Sequence, residues 1–330
     1  MPIEYRNELT SNAMGGTELM ASALEKRLDP SLVNEFQIIY SRIRDLDETK
    51  VRILVCNDLP GDPESDNAFK KIGHNKFHKI VFVSNWQMQA YIQAYDIPWS
   101  KCVVLQNAIE PIWFDSFEPK PTDQINIIYH TTPHRGLSLL VPVFQKLTEK
   151  HKNIHLDVYS SFKVYGWEER DAQYEPLYDM IRAIPEATYH GAVSNQEVKE
   201  ALKKAHIYAY PSVWLETSCI SLIEAMSAGC VCVHPNYGAL PETAANWTQM
   251  YQWQEDNQKH ANMMYSMLDS IIPNINSDSV QAMLSGQKSY TDMFYNWEVR
   301  AMQWENLLNG LLDMPREIPK ESGQFFTYKT

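Results

Sequence analysis

Short runs of Val, Ile, Leu and Tyr alternate along this chain with amphipathic segments of helical length, and this alternation strongly constrains the fold. The apolar runs lack strict period-two alternation, which is typical of parallel strands buried on both faces. Candidate strands are FQIIYSR (36–42), VRILVCN (51–57), KIVFVS (79–84), KCVVLQN (101–107), INIIYH (125–130), IHLDVYS (154–160), ATYHGAV (187–193), IYAYPS (207–212) and VCVHP (231–235). Candidate helices cover 16–28, 85–95, 137–151 and 195–205. This order predicts a doubly wound α/β fold.

The strand–helix pattern occurs twice, on either side of EPIWFDSFEPKPTDQ (110–124). This polar segment contains three prolines and indicates a linker. We therefore predict two facing Rossmann-like domains, residues 1–120 and 121–299, with a ligand cleft at the carboxyl ends of their strands. The segment 291–312 predicts one long final helix, and a C-terminal helix from about 300 to 330 is expected to pack back onto the first domain.

Charge, hydropathy and cysteine spacing narrow the class of protein. The formal net charge of −12 argues against a broad nucleic-acid-binding face. No apolar stretch approaches the roughly 18 residues of a spanning helix, and the first residues lack a secretory signal pattern. We expect a cytoplasmic protein with buried, reduced thiols, since its five cysteines lack metal-binding spacing. The basic segment KKIGHNKFHK (70–79) indicates a solvated helix face or a weak docking patch for an anionic acceptor or membrane.

Two carboxylates stand out in WLETSCISLIEAMSAG (214–229). The segment predicts a loop followed by a helix that is capped by Thr217 or Ser218 and ends before Gly229. Glu216 then precedes the helix and Glu224 lies in its second turn, so both flank one helix N-terminus. Free N–H groups there form an anion site.

These positions suggest a division of roles. Amides of about Ser218, Cys219 and Ile220 hold a diphosphate, while Glu224 accepts hydrogen bonds from a ribose diol and Glu216 from a sugar hydroxyl. The plainer alternative is one acid that favours the helix dipole and one solvated Glu.

The segment PSVWLETSCISLIEAMSAGC (211–230) resembles the Glu-x7-Glu motif of retaining GT-B glycosyltransferases of family 4, the glycosyl transferases group 1. The resemblance covers roughly residues 13–310. It implies transfer of a sugar, with retention at the anomeric carbon, from a nucleoside diphosphate sugar (UDP- or GDP-sugar) to a hydroxyl of a glycan, lipid or small molecule. It implies no cofactor, and it specifies neither the base, the sugar nor the oligomeric state.

Further motifs of that family can be carried over residue by residue. MGGTE (14–18) resembles its Gly-Gly loop, which places Gly15 and Gly16 beside the diphosphate, although a lone Gly pair is usually a turn. HTTPHRGLSLL (130–140) resembles its basic loop, with Arg135 where the family usually has Lys. YHGAV (189–193) resembles the loop whose backbone meets the base of the nucleotide. The resemblance therefore assigns donor binding to Gly15, Gly16, His130, Arg135, Ala192, Val193 and Thr217.

The chain also departs from the family pattern. The family's Arg ahead of the diphosphate Lys has no counterpart, and its usual Phe-Gly is Ser218-Cys219 here. A first-domain His that faces the sugar is replaced by Asn57, with Asp58 beside it to orient the acceptor. Asn57 and Asp58, with Glu216, form the predicted catalytic set. An ordinary turn before Pro60 is an equally good interpretation of the Asn-Asp pair.

Two other functions remain compatible with this architecture. A nucleotide-sugar epimerase would convert the donor without an acceptor, and a catalytically degenerate scaffold would bind the donor and transfer nothing. A nicotinamide dehydrogenase is disfavoured because no G-x-G-x-x-G follows a strand. For transfer, Arg135, the helix amides and the Gly15–Gly16 loop can carry the leaving-group charge, so we expect no metal to be required.

Overall fold

The first of two parallel sheets lies in the N-terminal part of the chain. The computed structural model describes residues 16–113 and 120–318, and the predicted Gly15 falls outside these ranges. The four strands of the first sheet lie side by side in chain order, all parallel. They are Phe36–Tyr40 (β1), Val51–Cys56 (β2), Lys79–Phe82 (β3) and Cys102–Val104 (β4).

The second sheet has six parallel strands in the order β10-β9-β8-β5-β6-β7. Every strand predicted from the apolar runs is present, so the doubly wound α/β prediction is confirmed. The apolar runs do not predict β10, because it is only three residues long in a polar, Trp-rich stretch. The strands are Ile125–Tyr129 (β5), Ile154–Val158 (β6), Ala187–Tyr189 (β7), Ile207–Ala209 (β8), Val231–Pro235 (β9) and Gln249–Tyr251 (β10).

Helices fill the connections between strands. Some of these helices start at a residue whose side chain caps the first turn. The Ser84 hydroxyl accepts a hydrogen bond from the amide of Gln87, and Ser194 forms a capping box with Glu197. The α-helices are Gly16–Glu25 (α1), Pro30–Val33 (α2), Pro63–Asp66 (α3), Asn85–Tyr95 (α4), Leu137–Lys150 (α5), Glu175–Arg182 (α6), Asn195–Lys204 (α7), Ile220–Ser227 (α8), Leu240–Ala244 (α9), Asn257–Ile271 (α10), Asp278–Phe294 (α11) and Trp297–Leu311 (α12).

The prediction of one long helix over 291–312 is wrong. α11 ends at Phe294, and Asn296 caps a new helix by accepting a hydrogen bond from the amide of Val299. α12 starts at Trp297 and ends at Leu311, well short of 330, and residues 319–330 lie outside the described ranges. α12 packs on the first sheet, where its buried apolar residues join those of β1 and β2 in one core.

The strand order of the second sheet creates a crevice between β5 and β8. Because strand crossovers are right-handed, α5 and α6, which lead away from β5 in one direction, lie on one face of the sheet. α7 and α8 lead in the opposite direction and therefore lie on the other face, and the structure packs α5 against α6 and α7 against α8. The carboxyl ends of β5 and β8 thus flank the topological switch point, where ligands of open α/β sheets bind.

The basic segment 70–79 is not one helix face, as its pattern suggested. It contains the end of a π-helical turn, Asn67–Ile72, and the whole of a 3-10 turn, His74–Lys76. Lys70 pairs with Asp66 at 2.7 Å and Lys76 with Glu48 at 3.6 Å, so part of its charge is locally balanced.

None of the described helices combines the length and apolar character needed to cross a membrane. The five cysteines are free thiols in the described structure, four of them buried.

Candidate functional site

The N-terminus of α8 begins without a side-chain cap. Its N-cap residue is Cys219 rather than the predicted Thr217 or Ser218, and no side chain caps the first turn. Thr217 lies two residues before this N-cap, and its hydroxyl donates to the backbone carbonyl of Asn57, just after β2, at 2.8 Å. The amides that open α8 therefore keep their capacity to bind an acceptor. As predicted, Gly229 follows the helix with a left-handed φ of 67°.

Glu216 and Arg135 form an ion pair at the mouth of the crevice. Nη1 of Arg135 lies 2.5 Å from Oε1 of Glu216, and the Glu216 side chain is almost fully buried. The hydroxyl of Tyr210, at the end of β8, donates to the same carboxylate oxygen. Burial lowers the pKa of Arg135, but the Glu216 carboxylate, with smaller contributions from Tyr210 and Tyr165, outweighs that effect and holds this pKa well above its ordinary value. The guanidinium of Arg135 is therefore charged, and its contact with Glu216 fixes both side chains.

Two glycines bring these side chains together. Gly136 has φ 127°, and a Cβ there would lie 2.1 Å from the carbonyl oxygen of Pro211. Any larger residue would push the Arg135 loop away from the loop that carries Glu216. On the other side, a Cβ on Gly238 would lie 2.8 Å from the backbone of Glu216, whose carbonyl accepts a hydrogen bond from Ala239.

Glu224 lies in the second turn of α8 and contacts α7, whereas Glu216 contacts Arg135. Glu224 is buried, and Nδ2 of Asn195 at the start of α7 lies 3.4 Å from its carboxylate. Burial raises the pKa of Glu224, while the charge of Lys199 and the Asn195 hydrogen bond oppose this. A carboxylate with one long hydrogen bond retains acceptor capacity for a ligand hydroxyl.

One cleft of about 1380 Å³ brings the two sheets' predicted residues together. Gly16 and Ile220 meet across it, since a Cβ on Gly16 would lie 3.1 Å from Cδ1 of Ile220. Every predicted site residue within the described ranges lines the cleft; these are Gly16, Asn57, Asp58, His130, Arg135, Ala192, Val193, Glu216, Thr217, Ser218, Cys219, Ile220 and Glu224.

The first sheet contributes Asn57 and Asp58 at the end of β2. Ser41 lies beside them at the end of β1, with a left-handed φ of 57°, and its hydroxyl accepts a hydrogen bond from the Asn57 amide. Such backbone conformations concentrate at functional sites. Burial raises the pKa of Asp58, and a hydrogen bond with Ser41 opposes the shift. The Asn-Asp pair therefore lines the cleft, and the turn follows it, closed by the hydrogen bond from the Asp62 amide to the Leu59 carbonyl.

Buried polar atoms without partners concentrate in this cleft. Buried polar groups are normally hydrogen-bonded, so a cluster of exceptions indicates a site for a polar ligand. Burial lowers the pKa of His130 to about 3 and that of His134 to about 4, so both imidazoles are neutral at pH 7. Within the described ranges, five of eleven unpartnered atoms belong to residues that line the cleft: Asn57 Nδ2, His130 Nε2, Thr132 Oγ1, His134 Nδ1 and Arg135 Nε.

Several residues of the site are not predicted by the sequence. Tyr210, which binds Glu216, lies at the end of an apolar strand and gives no polar signal, although its position immediately before the Pro-Ser loop places it at the carboxyl end of β8. Trp214 and residues of the 161–174 loop after β6 line the cleft. Their aromatic side chains resemble core residues, and only the fold turns them toward the crevice.

No group of three or more His, Cys, Asp or Glu side chains within 16–113 and 120–318 is placed to hold a metal ion. The sequence does contain an Asp-x-Asp, at Asp45 and Asp47, in the turn before β2. Asp47 accepts hydrogen bonds from the amide and hydroxyl of Thr49, and neither aspartate lines the described cleft. The Asp47 carboxylate therefore stabilises a turn.

Comparison with known proteins identifies relatives of both sequence and fold. The family model described as glycosyl transferases group 1 matches residues 110–263. A phosphatidylinositol N-acetylglucosaminyltransferase subunit of Arabidopsis thaliana is 24% identical over 213 residues, 63% of this chain. The matched part is only 46% of that relative's length.

Two solved structures share the arrangement of both sheets. A glycosyltransferase from Rickettsia africae ESF-5 matches with a TM-score of 0.65 and 14% identity, over 92% of this chain and 82% of that chain. Anabaena Alr3699/HepE in complex with UDP-glucose matches with a TM-score of 0.62 and 13% identity, over 90% and 82%. The described chain has the GT-B fold, and its residues 110–263 are similar to the glycosyl transferases group 1 family.

Proposed function

We propose that this protein moves a sugar from a nucleoside diphosphate sugar to an acceptor hydroxyl with retention at the anomeric carbon. The observation that carries the proposal is the cluster of unpartnered buried polar atoms beside the uncapped tip of α8. A diphosphate sugar offers many acceptor oxygens within a short length, which matches such a cluster of donors.

The proposed donor lies across the tip of α8. The diphosphate meets the first amides of this helix, with Nε of Arg135 free to donate to it. The ribose diol donates to Glu224, and the base lies against the loop that contains Ala192 and Val193. The sugar then extends toward Glu216, whose carboxylate orients a ring hydroxyl.

The proposed chemistry depends on charge that develops on the leaving diphosphate. Fixed donors stabilise this charge because they need no reorganisation during the reaction. Arg135 is held by Glu216, and neutral His130 can donate one hydrogen bond without a net charge. We therefore propose that the transfer needs no metal ion and that Asn57 and Asp58 face the reacting sugar and the acceptor.

The relatives suggest which donors to test first. The Arabidopsis relative is named for transfer of N-acetylglucosamine, and the Anabaena structure contains UDP-glucose. We propose a UDP-sugar as the donor, with UDP-N-acetylglucosamine and UDP-glucose as first candidates, and a carbohydrate or lipid-linked hydroxyl as the acceptor.

A thermal-shift screen with UDP, GDP, ADP and their sugars tests donor binding, since ligands that bind the folded state raise Tm. We expect one nucleotide series to raise the Tm of the wild type and to have a smaller effect on Glu224→Gln. Glu149→Gln is the matched control because Glu149 is an exposed residue of α5 outside the cleft. An unchanged Tm with every nucleotide contradicts the proposal.

NMR of the donor with enzyme separates the rival functions. A transferase hydrolyses the donor slowly when no acceptor is present and retains the anomeric configuration in the first product formed with an acceptor. Conversion of the donor into its epimer identifies an epimerase. A donor that binds but stays intact with every acceptor indicates a scaffold.

A further inference from the structure

The loop between β6 and α6 presents aromatic residues to the cleft. It contains two 3-10 helices, Phe162–Tyr165 and Glu168–Tyr174. Trp167 within it is 40% exposed, and Trp214 on the loop after β8 is 41% exposed. Both line the cleft. Exposed indole rings lose the stabilisation that burial would give them. Exposed aromatic rings within a concave site are therefore typical of a binding surface.

The aromatic loop is held in place by one carboxylate. Asp171 accepts hydrogen bonds from the Ser161 hydroxyl, from the Phe162 amide at 3.0 Å and from the buried Tyr178 hydroxyl at 2.8 Å. These contacts fix the start of the first 3-10 helix to the second. Tyr165 and Trp167 then pack with their ring centroids 5.3 Å apart. The loop therefore presents a preorganised aromatic surface.

This surface is continuous with the Arg135–Glu216 pair. The ring of His134 stacks on Phe162, with centroids 5.1 Å apart, and meets Trp214 edge-on at 5.0 Å. The guanidinium of Arg135 lies 5.7 Å from the centre of the Trp214 ring. Tyr165 is also close enough to Arg135 to affect its pKa. A ligand on the aromatic surface therefore reaches the proposed reaction centre.

The aromatic surface and the proposed donor site use different parts of the cleft. The 161–174 loop connects β6 to α6, whereas Ala192 and Val193 lie between β7 and α7, and Glu224 lies in α8. A donor bound at the tip of α8 leaves the aromatic rings of the 161–174 loop open for the second substrate.

The aromatic surface also has a cation available for a ligand. The guanidinium of Arg170 lies 4.2 Å from the Trp167 ring centre. Among the described residues, no carboxylate forms an ion pair with it, and the side chain is exposed in the cleft. By contrast, Arg135 is paired with Glu216. Arg170 is therefore suited to a carboxylate or phosphate group on a ligand.

We propose that Tyr165, Trp167 and Trp214 form an acceptor subsite for an acidic saccharide. The apolar C–H face of a pyranose ring stacks on the indole and phenol rings, and Arg170 binds a carboxylate or phosphate on that ring. This inference rests on the proposed function, because an acceptor subsite requires a donor bound elsewhere in the same cleft. It specifies the acceptor as a sugar with an anionic substituent.

Fluorescence titration of the full chain with saccharides tests the subsite in the presence of the nucleotide that raises Tm, or alone if none does. Two matched pairs distinguish the anion: a glucuronate-containing tetrasaccharide with its carboxyl-reduced form, and maltose 1-phosphate with maltose. We expect the acidic member of at least one pair to bind more tightly. Trp167→Ala is expected to weaken this binding roughly tenfold, whereas Trp167→Phe keeps most of it.

Arg170→Gln is expected to reduce the preference for the acidic member about fivefold while binding of the neutral member changes little. Trp99→Ala is the control, because Trp99 is 64% exposed but lies outside the cleft. The subsite proposal is overturned if no saccharide binds or if Trp167→Ala binds like the wild type. Saccharide binding without any nucleotide effect on Tm contradicts the donor site and leaves the aromatic subsite standing.

Discussion

Arg135 and Glu216 lie on the two loops that flank the switch point of the second sheet, with their charged atoms 2.5 Å apart. Arg135 follows β5 and Glu216 follows β8, so the contact joins strands that neighbour in space but lie about 80 residues apart in the chain. The pair sets the position of the guanidinium that is proposed to stabilise the leaving group. Each member therefore has a structural role as well as a chemical one.

Glu216→Gln is expected to lower kcat by about 100-fold or more while the KM for the donor changes little. The amide keeps the shape of the side chain but loses the charge that holds Arg135 and orients the sugar. Steady-state kinetics with the donor found in the thermal-shift screen measures both constants. A wild-type kcat contradicts the role of Glu216, provided that circular dichroism shows a folded variant.

Glu224→Ala is expected to raise the KM for the donor roughly tenfold with a smaller effect on kcat, because a lost hydrogen bond to the ribose diol weakens binding of substrate and transition state alike. The corresponding 2′-deoxy donor should bind the wild type and the variant almost equally. If the variant still discriminates between the ribose and deoxyribose donors, Glu224 does not contact the diol.

Gly136→Ala is expected to destabilise the protein by about 3 kcal/mol or more, since the Cβ would overlap the carbonyl oxygen of Pro211 at a φ of 127°. Urea unfolding measures the change. Gly310→Ala is the control: a Cβ at Gly310 meets nothing within 4 Å, and the site lies in α12, where Ala is favoured over Gly by about 0.5–1 kcal/mol. Equal effects of the two substitutions would contradict the close approach.

Glu242 of α9 links the two sheets by accepting hydrogen bonds from the N-terminus of α4. Its carboxylate binds the amides of Asn85 at 2.8 Å and Trp86 at 2.9 Å. Glu242→Gln removes the charge from these contacts, and we expect a loss of about 1–2 kcal/mol in unfolding free energy and a larger radius of gyration by X-ray scattering. Glu200→Gln, on the exposed surface of α7, should change neither quantity.

Buried His234 predicts acid sensitivity. Burial lowers its pKa to about 4, whereas an unfolded histidine titrates near 6.5. Below pH 6.5 the unfolded chain binds a proton that the folded protein does not, so stability falls as the pH falls from about 6.5 to about 4. This one residue accounts for about 2 kcal/mol between pH 7 and pH 5.

Urea unfolding at pH 7, 6 and 5 measures this slope for the wild type and for His234→Gln. The variant is expected to be less stable at pH 7, because the ring of His234 binds the hydroxyl of Thr248 at 2.7 Å. Its loss of stability between pH 7 and pH 5 should nevertheless be smaller by about 2 kcal/mol. Identical slopes would mean that His234 is protonated or exposed in the folded protein.

Local pattern predicts most of the secondary structure. Continuous apolar runs mark the parallel strands because such strands are buried on both faces, and Ser84 and Ser194 mark the helix starts that they cap. The one wrong helix prediction, over 291–312, has a local cause. Asn296 interrupts an amphipathic pattern that continues on both sides of it, so the pattern alone predicts one helix where the structure has α11 and α12.

The candidate site is predictable where its signal lies within one short segment. Glu216, Glu224 and the α8 tip lie within a few turns of one another in the chain, so their proximity follows from helical geometry. Tyr210 and Trp214 lie in the same stretch but resemble core residues. Thr217 resembles a helix cap, but α8 starts two residues later than the pattern predicts, and the Thr217 hydroxyl instead donates to the Asn57 carbonyl, 160 residues away in the chain.

The sequence by itself determined the two sheets, the strand–helix order and the acids around one helix tip, because these depend on burial and on spacing along the chain. Only the tertiary structure decided that Arg135 pairs with Glu216, that unpartnered donors collect in one cleft and that Trp167 faces it. Such contacts join residues distant in the chain. They depend on the strand order of the second sheet and on glycines such as Gly136. A side chain at this position is excluded only because the loop after β8 packs against it in the folded protein.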